Sequence, residues 1–313
     1  MRILVTGGAG YVGRTLVERL SRDPTAELHV LDNLASGEHR IRAADLARMT
    51  LHRVDLRDSA AVAALIRMLT PSLIFHLAAV HYIPACEAAP GDAVGINVAG
   101  TVNLLHSMAN RPKFVFASTA AVYSPSEQPH QETAGGIGPV DIYGLTKLQA
   151  ERYVHYFHEL RRIDAVIIRL FNVIGPGETN PHLVPAIIRQ ISRGERKIKL
   201  GNLFPKRDYI HVEDAAEGFL RLANVHGDRP TPLISNLGTG RSYGVREIVE
   251  KIADAAAVRL EIEQDPERIR NNDRPLLCAS TQTLHALTGW LPDTGVAESL
   301  RAAWSSREAD GFI

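Results

Sequence analysis

The chain has 313 residues, a mass of 34.3 kDa, 45% hydrophobic and 22% charged side chains, which is the composition of a folded globular protein rather than a disordered or fibrous one. Its 35 basic and 35 acidic residues cancel, so no net field recruits nucleic acid or an anionic membrane, and an anionic ligand has to be held by a local pocket. No run reaches the about 18 apolar residues of a membrane span, and the apolar start from Arg2 to Thr6 meets glycines too soon for a signal peptide; the cytoplasm is the expected compartment.

In chain order, Arg2 to Thr6, Leu28 to Asp32, Leu51 to Val54, Leu73 to Leu77, Lys113 to Ser118 and Ala165 to Leu170 are short apolar runs separated by segments of helical spacing. Such alternation predicts an α/β fold, a doubly wound parallel sheet covered on both faces. Asp58 is placed to cap a helix whose apolar stripe is Val62, Leu65, Ile66 and Leu69, with Pro71 ending it. Beyond about Asn172 the rhythm breaks at Gly175-Pro176-Gly177, which marks a second, smaller lobe. Cys86 and Cys278 are too few for a disulfide framework and are read as reduced thiols.

Gly7-Gly8-Ala9-Gly10-Tyr11-Val12-Gly13 follows the first strand and opens the first helix. Glycines at this point allow a tight turn and let backbone N–H groups approach a pyrophosphate. Asp32 ends the second strand, where a carboxylate accepts both hydroxyls of an adenosine ribose and repels a 2′-phosphate; NAD is therefore expected over NADP. Asp55-Leu56, after the third strand, is similarly placed to hold the adenine edge.

Tyr143 and Lys147 are four residues apart at the start of a long helical segment, so phenol and ammonium project from one face. A cation beside a phenol favours the phenolate, and Lys147 is expected to bring Tyr143 toward duty as a base. Upstream, the fifth strand runs into Ser118-Thr119, hydroxyls at the carboxyl end of a parallel strand, where open α/β sheets bind ligands.

Together with Asp32-Asn33-Leu34, His76-Leu77-Ala78-Ala79, Ser118-Thr119-Ala120-Ala121-Val122-Tyr123, Arg169-Leu170-Phe171-Asn172 and Arg207-Asp208-Tyr209-Ile210-His211-Val212, these motifs span nearly the whole chain. In that order they resemble the extended short-chain dehydrogenase/reductase family, in its NAD-dependent epimerase/dehydratase branch acting on nucleotide sugars. The resemblance implies a Rossmann-type NAD-binding domain over residues 1–172 plus about 208–241, and a nucleotide-sugar lobe over 173–207 and 242–313. It implies that Thr119 and Tyr143 bracket the hydroxyl to be oxidised and that Lys147 holds the nicotinamide ribose. Gly7, Gly10, Tyr11, Val12, Gly13, Asp32, Asn33, Asp55, Leu56, Leu77, Ala78, Ala79, Asn97 and Ser118 join Tyr143 and Lys147 around the cofactor. Asn172, Leu183 and Val184 are implied to grip the nucleotide and sugar, Arg207 and Arg270 to clamp the diphosphate, and Leu277 to border the sugar. Relatives pair as dimers through the helices corresponding to about 96–108 and 143–160, the second bearing Leu148, Tyr153, Val154, Phe157 and Leu160, so a homodimer is expected.

Departures from the family pattern narrow the chemistry. Resembling 4,6-dehydratases carry an Asp-Glu pair directly after the catalytic threonine, whereas Ala120 and Ala121 transfer no protons. What remains is oxidation and reduction at one carbon: a 4-epimerase with NAD retained, or an NAD(P)H-dependent 4-keto reductase of deoxysugar assembly. A non-catalytic dinucleotide-sensing module on this fold would need the glycines but not Tyr143 and Lys147. His81 lies in an unusual loop and is open between a phosphate ligand, a general acid and a residue that lines the pocket. His81 and Cys86 lack a second pair of ligands, so no metal is expected.

Overall fold

In the computed structural model, which describes residues 1–35, 46–133, 136–178, 180–269, 273–309 and 311, the apolar runs become strands. In order they are β1 (Arg2–Thr6), β2 (Glu27–Asp32), β3 (Thr50–Arg53), β4 (Leu73–His76), β5 (Lys113–Thr119), β6 (Asp164–Leu170), β7 (Asn172–Ile174), β8 (Lys197–Leu200), β9 (Lys206–His211), β10 (Leu233–Leu237), β11 (Ser242–Gly244), β12 (Glu261–Gln264) and β13 (Leu276–Leu277). Seven of them form one parallel sheet in the order β10-β6-β5-β4-β1-β2-β3. The chain builds outward from β1 through β2 and β3, then returns to its other side with β4. A crevice opens at such a reversal, outside the carboxyl ends of the strands.

Alternation along β1 shows why both faces are covered, since successive side chains point to opposite sides. Ile3 and Val5 pack with Leu16, Phe75, Val115 and Phe219 under the helices Tyr11–Leu20 and Val212–Ala223. Leu4 faces the other way, toward Ile66, Phe114, Phe116 and Val154, under Ser59–Leu69 and Ile142–Glu159. Each such side chain buried contributes about 1.5–3 kcal/mol of transfer free energy. Asp58 accepts the Ala61 amide at 3.0 Å, as its capping position predicts, and Thr70 closes that helix in the left-handed region at φ 41° before Pro71.

Helix geometry departs from expectation at residues 95–106. Gly95–Gly100 is a π-helical turn, continued as an α-helix by Thr101–His106; such turns are frequent at functional sites. The apolar residues of Ile142–Glu159, open between interface and core on sequence, divide between the two environments. Val154 and Phe157 are buried in the core and Leu148 packs partly against a small cluster under the cleft. Tyr153 and Leu160 are exposed, as are Leu145 and Tyr156.

A third apolar cluster joins the helices Leu183–Ser192, Val245–Ala256 and Val296–Ser305 through Ile187, Ile191, Ile248, Ile252 and Leu300. Small sheets flank it: β11-β9-β13 with β7 on β9, and β12 parallel to β8. Asp208 on β9 is fully buried and accepts four donors, the Thr239 amide and hydroxyl at 2.9 and 2.6 Å, Gly240 N at 2.8 Å and Ala279 N at 3.1 Å. Burial pushes this carboxyl above the ordinary range while those bonds draw it back. Among the described residues no helix is long and apolar enough to cross a membrane.

Candidate active site

A cleft of about 1290 Å³ lies along the carboxyl ends of β1, β2, β4, β5 and β6 and continues over the smaller sheets. The glycine loop forms one end. Gly7 has φ +72°, and a Cβ there would stand 2.6 Å from the Ala78 amide nitrogen; one at Gly13 would stand 2.0 Å from the Gly7 carbonyl oxygen. Loop, first helix and β4 therefore close to a distance that no side chain permits. A Cβ at Gly10 would instead meet only the Gly7 carbonyl oxygen, at 3.1 Å, and would project into the cleft. That leaves room for a diphosphate at the N-terminus of Tyr11–Leu20, a helix with no side-chain cap.

Asp32 fixes the loop from the next strand. Its Oδ2 accepts the Ala9 amide at 3.0 Å and its Oδ1 the Leu34 amide at 2.8 Å, and the carboxylate lines the cleft. Asn33 donates to Asp55 Oδ2 at 3.1 Å. Bonds from the Arg57 guanidinium hold the Asp55 carboxyl well below the usual range. Tyr11, Val12, Leu56, Leu77, Ala78, Ala79 and Ser118 complete this end of the cleft, and the set fits an adenine dinucleotide. Asn97, expected beside the cofactor, stands behind the wall: its Oδ1 accepts Val80 N at 2.8 Å and its Nδ2 donates to Thr146 Oγ1 at 2.9 Å. It anchors the loop after β4 to the helix that carries Tyr143.

Thr119, Tyr143 and Lys147 converge on the middle of the cleft. Thr119 Oγ1 accepts the Ala121 amide at 3.1 Å and shares a side-chain hydrogen bond with the Tyr143 phenol that favours the phenolate. Burial nevertheless pushes Tyr143 above the ordinary phenol range. Lys147 is 2% exposed, and its Nζ stands 4.3 Å from the centre of the Phe116 ring. Burial draws it down to about 7, against the opposing pull of Glu151. Burial thus moves both groups toward their neutral forms.

Glu151 continues the same helix face one turn beyond Lys147, a spacing legible in the sequence but not exploited there. It accepts Arg169 Nε at 3.1 Å and Nη2 at 2.9 Å, and the Ser118 hydroxyl donates to it. Arg169 also reaches the Tyr123 phenol at 3.1 Å, which in turn donates to Asn236 Oδ1 at 2.8 Å. Beneath Lys147, His76 is fully buried between the Thr6 and Thr101 hydroxyls at 2.6 and 2.8 Å, and burial draws it down to about 3, so it stays neutral.

Asp141 caps the Tyr143 helix by accepting Gly144 N at 2.7 Å, and its other oxygen accepts Arg274 Nη1 at 2.9 Å. Arg274 Nη2 donates to the Ala121 carbonyl at 2.8 Å. Both side chains of this pair are nearly buried, so removal of the cation leaves an uncompensated charge. Arg274→Ala is expected to destabilise by about 3–5 kcal/mol and to lower kcat by loosening the first turn around Tyr143. A melt unchanged from the parent would refute this, and Asp141→Asn combined with Arg274→Met should recover most of the stability.

At the far end Asn172, Leu183, Val184, Arg207 and Leu277 line the cleft. Arg207 pairs with Asp273 and donates to the Arg274 carbonyl at 2.9 Å; burial lowers its pKa against the pull of Asp273. Leu277 is 8% exposed and packs with Tyr123 and Phe171, so it borders the cleft from the edge of a small core. Arg270 lies outside the described residues. Cys86 turns away from His81: its thiol is buried, donates to the Val80 carbonyl at 3.5 Å and is pushed up to about 11 by burial. His81 instead meets Glu178, Asn180 and His182, three residues the sequence reading did not single out because they sit in a Gly/Pro-rich loop without periodicity.

Comparisons with known proteins agree with this geometry. Residues 3–238 match the family model described as NAD dependent epimerase/dehydratase family. A GDP-6-deoxy-D-mannose reductase of Pseudomonas aeruginosa is 30% identical, over 98% of this chain and 98% of that protein. A UDP-glucose 4-epimerase of Streptomyces lividans is 32% identical, over 97% of this chain and 95% of its own length. The crystal structure of a Thermus thermophilus UDP-glucose 4-epimerase in complex with NAD superposes with a TM-score of 0.87 at 30% identity, covering 98% of this chain and 99% of that one.

Proposed function

This chain belongs to the NAD-dependent epimerase/dehydratase family, and on that premise we propose that it is a nucleotide-sugar 4-epimerase acting through a transient 4-keto sugar. The observation that carries the reading is the meeting of Thr119, Tyr143 and Lys147 in one cleft, with Ala120 and Ala121 following. NAD is the cofactor; bound, it supplies a two-electron acceptor for the sugar carbon and, while oxidised, a positive charge beside Tyr143. Tyr143 takes the proton of the 4-hydroxyl and later returns it, and the Thr119 hydroxyl steadies the phenolate by donation. Position in the first turn of an 18-residue helix adds a favourable field for that anion. Arg207 and its neighbours hold the diphosphate end. With no carboxylate after Thr119, these residues offer no proton transfer at neighbouring sugar carbons from that position.

Purified protein is expected to carry NAD and to interconvert at least one NDP-hexose, NDP-N-acetylhexosamine or NDP-uronate 4-epimer pair without added NADH. No conversion across a broad panel would refute the reading. The alternative, a 4-keto reductase, is favoured by the reductase among the relatives; consumption of added NADH with a 4-keto-6-deoxy sugar nucleotide identifies it. Two free buried cysteines suit the reducing cytoplasm.

A homodimer is part of this proposal. Leu145, Tyr153, Tyr156 and Leu160 are 41–55% exposed on one helix, and Val94 is 49% exposed on the preceding helical segment. Sedimentation at micromolar concentration should give the dimer mass, and Tyr156→Glu with Leu160→Glu should shift it to the monomer; a monomeric parent would overturn the proposal.

A further inference from the structure

We propose that His81, Glu178 and His182 form a binding site for one divalent transition-metal ion of the zinc class at the substrate end of the cleft. One ligand atom from each side chain lies within 4.8 Å of the others. Two imidazoles and a carboxylate are the three-residue donor set of catalytic zinc and of related borderline metals, which leave further coordination positions open. Bonds of about 2.0–2.2 Å set tetrahedral ligand atoms about 3.3–3.6 Å apart, so modest side-chain rotation closes the set.

The ligands come from separate loops, His81 from the segment after β4 and the other two from the segment between β7 and Leu183–Ser192. Asn180 organises both sides. Its amide nitrogen donates to Glu178 Oε1 at 2.8 Å, and its side-chain Nδ2 is 3.0 Å from His81 Nε2. The Tyr82 ring stands edge-on to His182 with centroids 5.4 Å apart. With the Asn180 amide turned so that its Oδ1 accepts the Nε2–H, His81 keeps Nδ1 for the ion, and a partner that fixes a ligand's tautomer in this way belongs to a metal site as much as the ligand does. Glu178 is 8% exposed, so its carboxylate meets the two imidazoles from a largely buried position where solvent competes little for an ion. All three residues line the cleft, which gives the ion an entry route and turns its open positions toward the cavity. If the proposed function holds, those positions meet the oxygen-rich diphosphate or sugar; that clause alone rests on the earlier reading.

The test is metal binding by the full-length protein, treated with chelator and then titrated with Co²⁺ and Zn²⁺ by calorimetry and visible absorption, without any nucleotide sugar. One equivalent of Co²⁺ should bind with the d–d absorption of a four- or five-coordinate site, and Zn²⁺ should displace it. His81→Ala, Glu178→Gln and His182→Ala should each weaken binding by at least about 10–100-fold, the loss that follows even from removing an outer partner. His81 is exposed, so its variant keeps the fold, and circular dichroism verifies this for all three. No saturable binding, or binding unchanged in the three variants, overturns the proposal. Since no turnover is measured, a negative result leaves the epimerase reading standing, and failure of epimerase assays leaves the metal site standing.

Discussion

Replacing Tyr143 by phenylalanine is expected to lower kcat for the proposed epimer interconversion by about 10²–10⁴-fold, the range for removing a positioned acid–base group, while NAD content and the melting temperature stay near those of the parent. The ring keeps its place in the first turn of Ile142–Glu159, so packing is conserved. What disappears is the oxygen that shares the Thr119 bond and that, in the proposed mechanism, receives the substrate proton. Burial holds the phenol above its usual range, and the bond with Thr119 does not reverse that. The polypeptide alone therefore leaves Tyr143 protonated at neutral pH, so activation of the phenol needs the positive charge of the nicotinamide as well as Lys147. A Tyr143→Phe protein with unchanged kcat would remove the phenol from the chemistry.

How much of this was legible in the sequence depends on whether the signal is local. The glycine loop, Asp32 and the Tyr143–Lys147 spacing each lie within a turn or two, where backbone sterics and helix periodicity dictate relative placement. Asp58 as a cap and the stripe Val62, Leu65, Ile66 and Leu69 were readable for the same reason. Glu151 could have been found by extending the four-residue step, but its partner Arg169 sits on a different strand. Asp141 and Arg274 are 133 residues apart, and His81 and Asn180 are 99 apart; no periodicity links such pairs before the chain folds. The resemblance groups Asn97 with the cofactor residues as a support of the site, and from the π-helical turn its amide meets Val80 and Thr146 rather than the cleft. Helix Ile142–Glu159 divides its apolar residues between core and surface, which a one-dimensional pattern does not separate when both faces are apolar.

Lys147→Met is expected to cut kcat by about 10²-fold, the lower end for groups that serve proton transfer, and to remove this residue's contribution to the pH dependence of stability in the cofactor-free protein. In the folded chain Lys147 titrates at about 7, because burial disfavours the ammonium despite Glu151; its ordinary value is 10.5. Between those two values the unfolded chain binds a proton that the folded chain has released, so this residue makes stability rise with pH. Below about 7 the ammonium is present in both states and its burial opposes folding in full, on the order of 5 kcal/mol over the whole interval. Methionine has nothing to titrate and fills a similar volume beside Phe116. The variant should therefore be more stable than the parent at pH 6, and the difference should shrink steadily as pH rises toward 10. Glu151 offsets only part of the cost, since its two oxygens already serve Arg169 and Ser118. Denaturant melts of both proteins across that range measure the difference directly. A constant gap, or a parent more stable at pH 6, would mean that Lys147 is well solvated or paired, and the electrostatic account of the Tyr143 pocket would have to be abandoned.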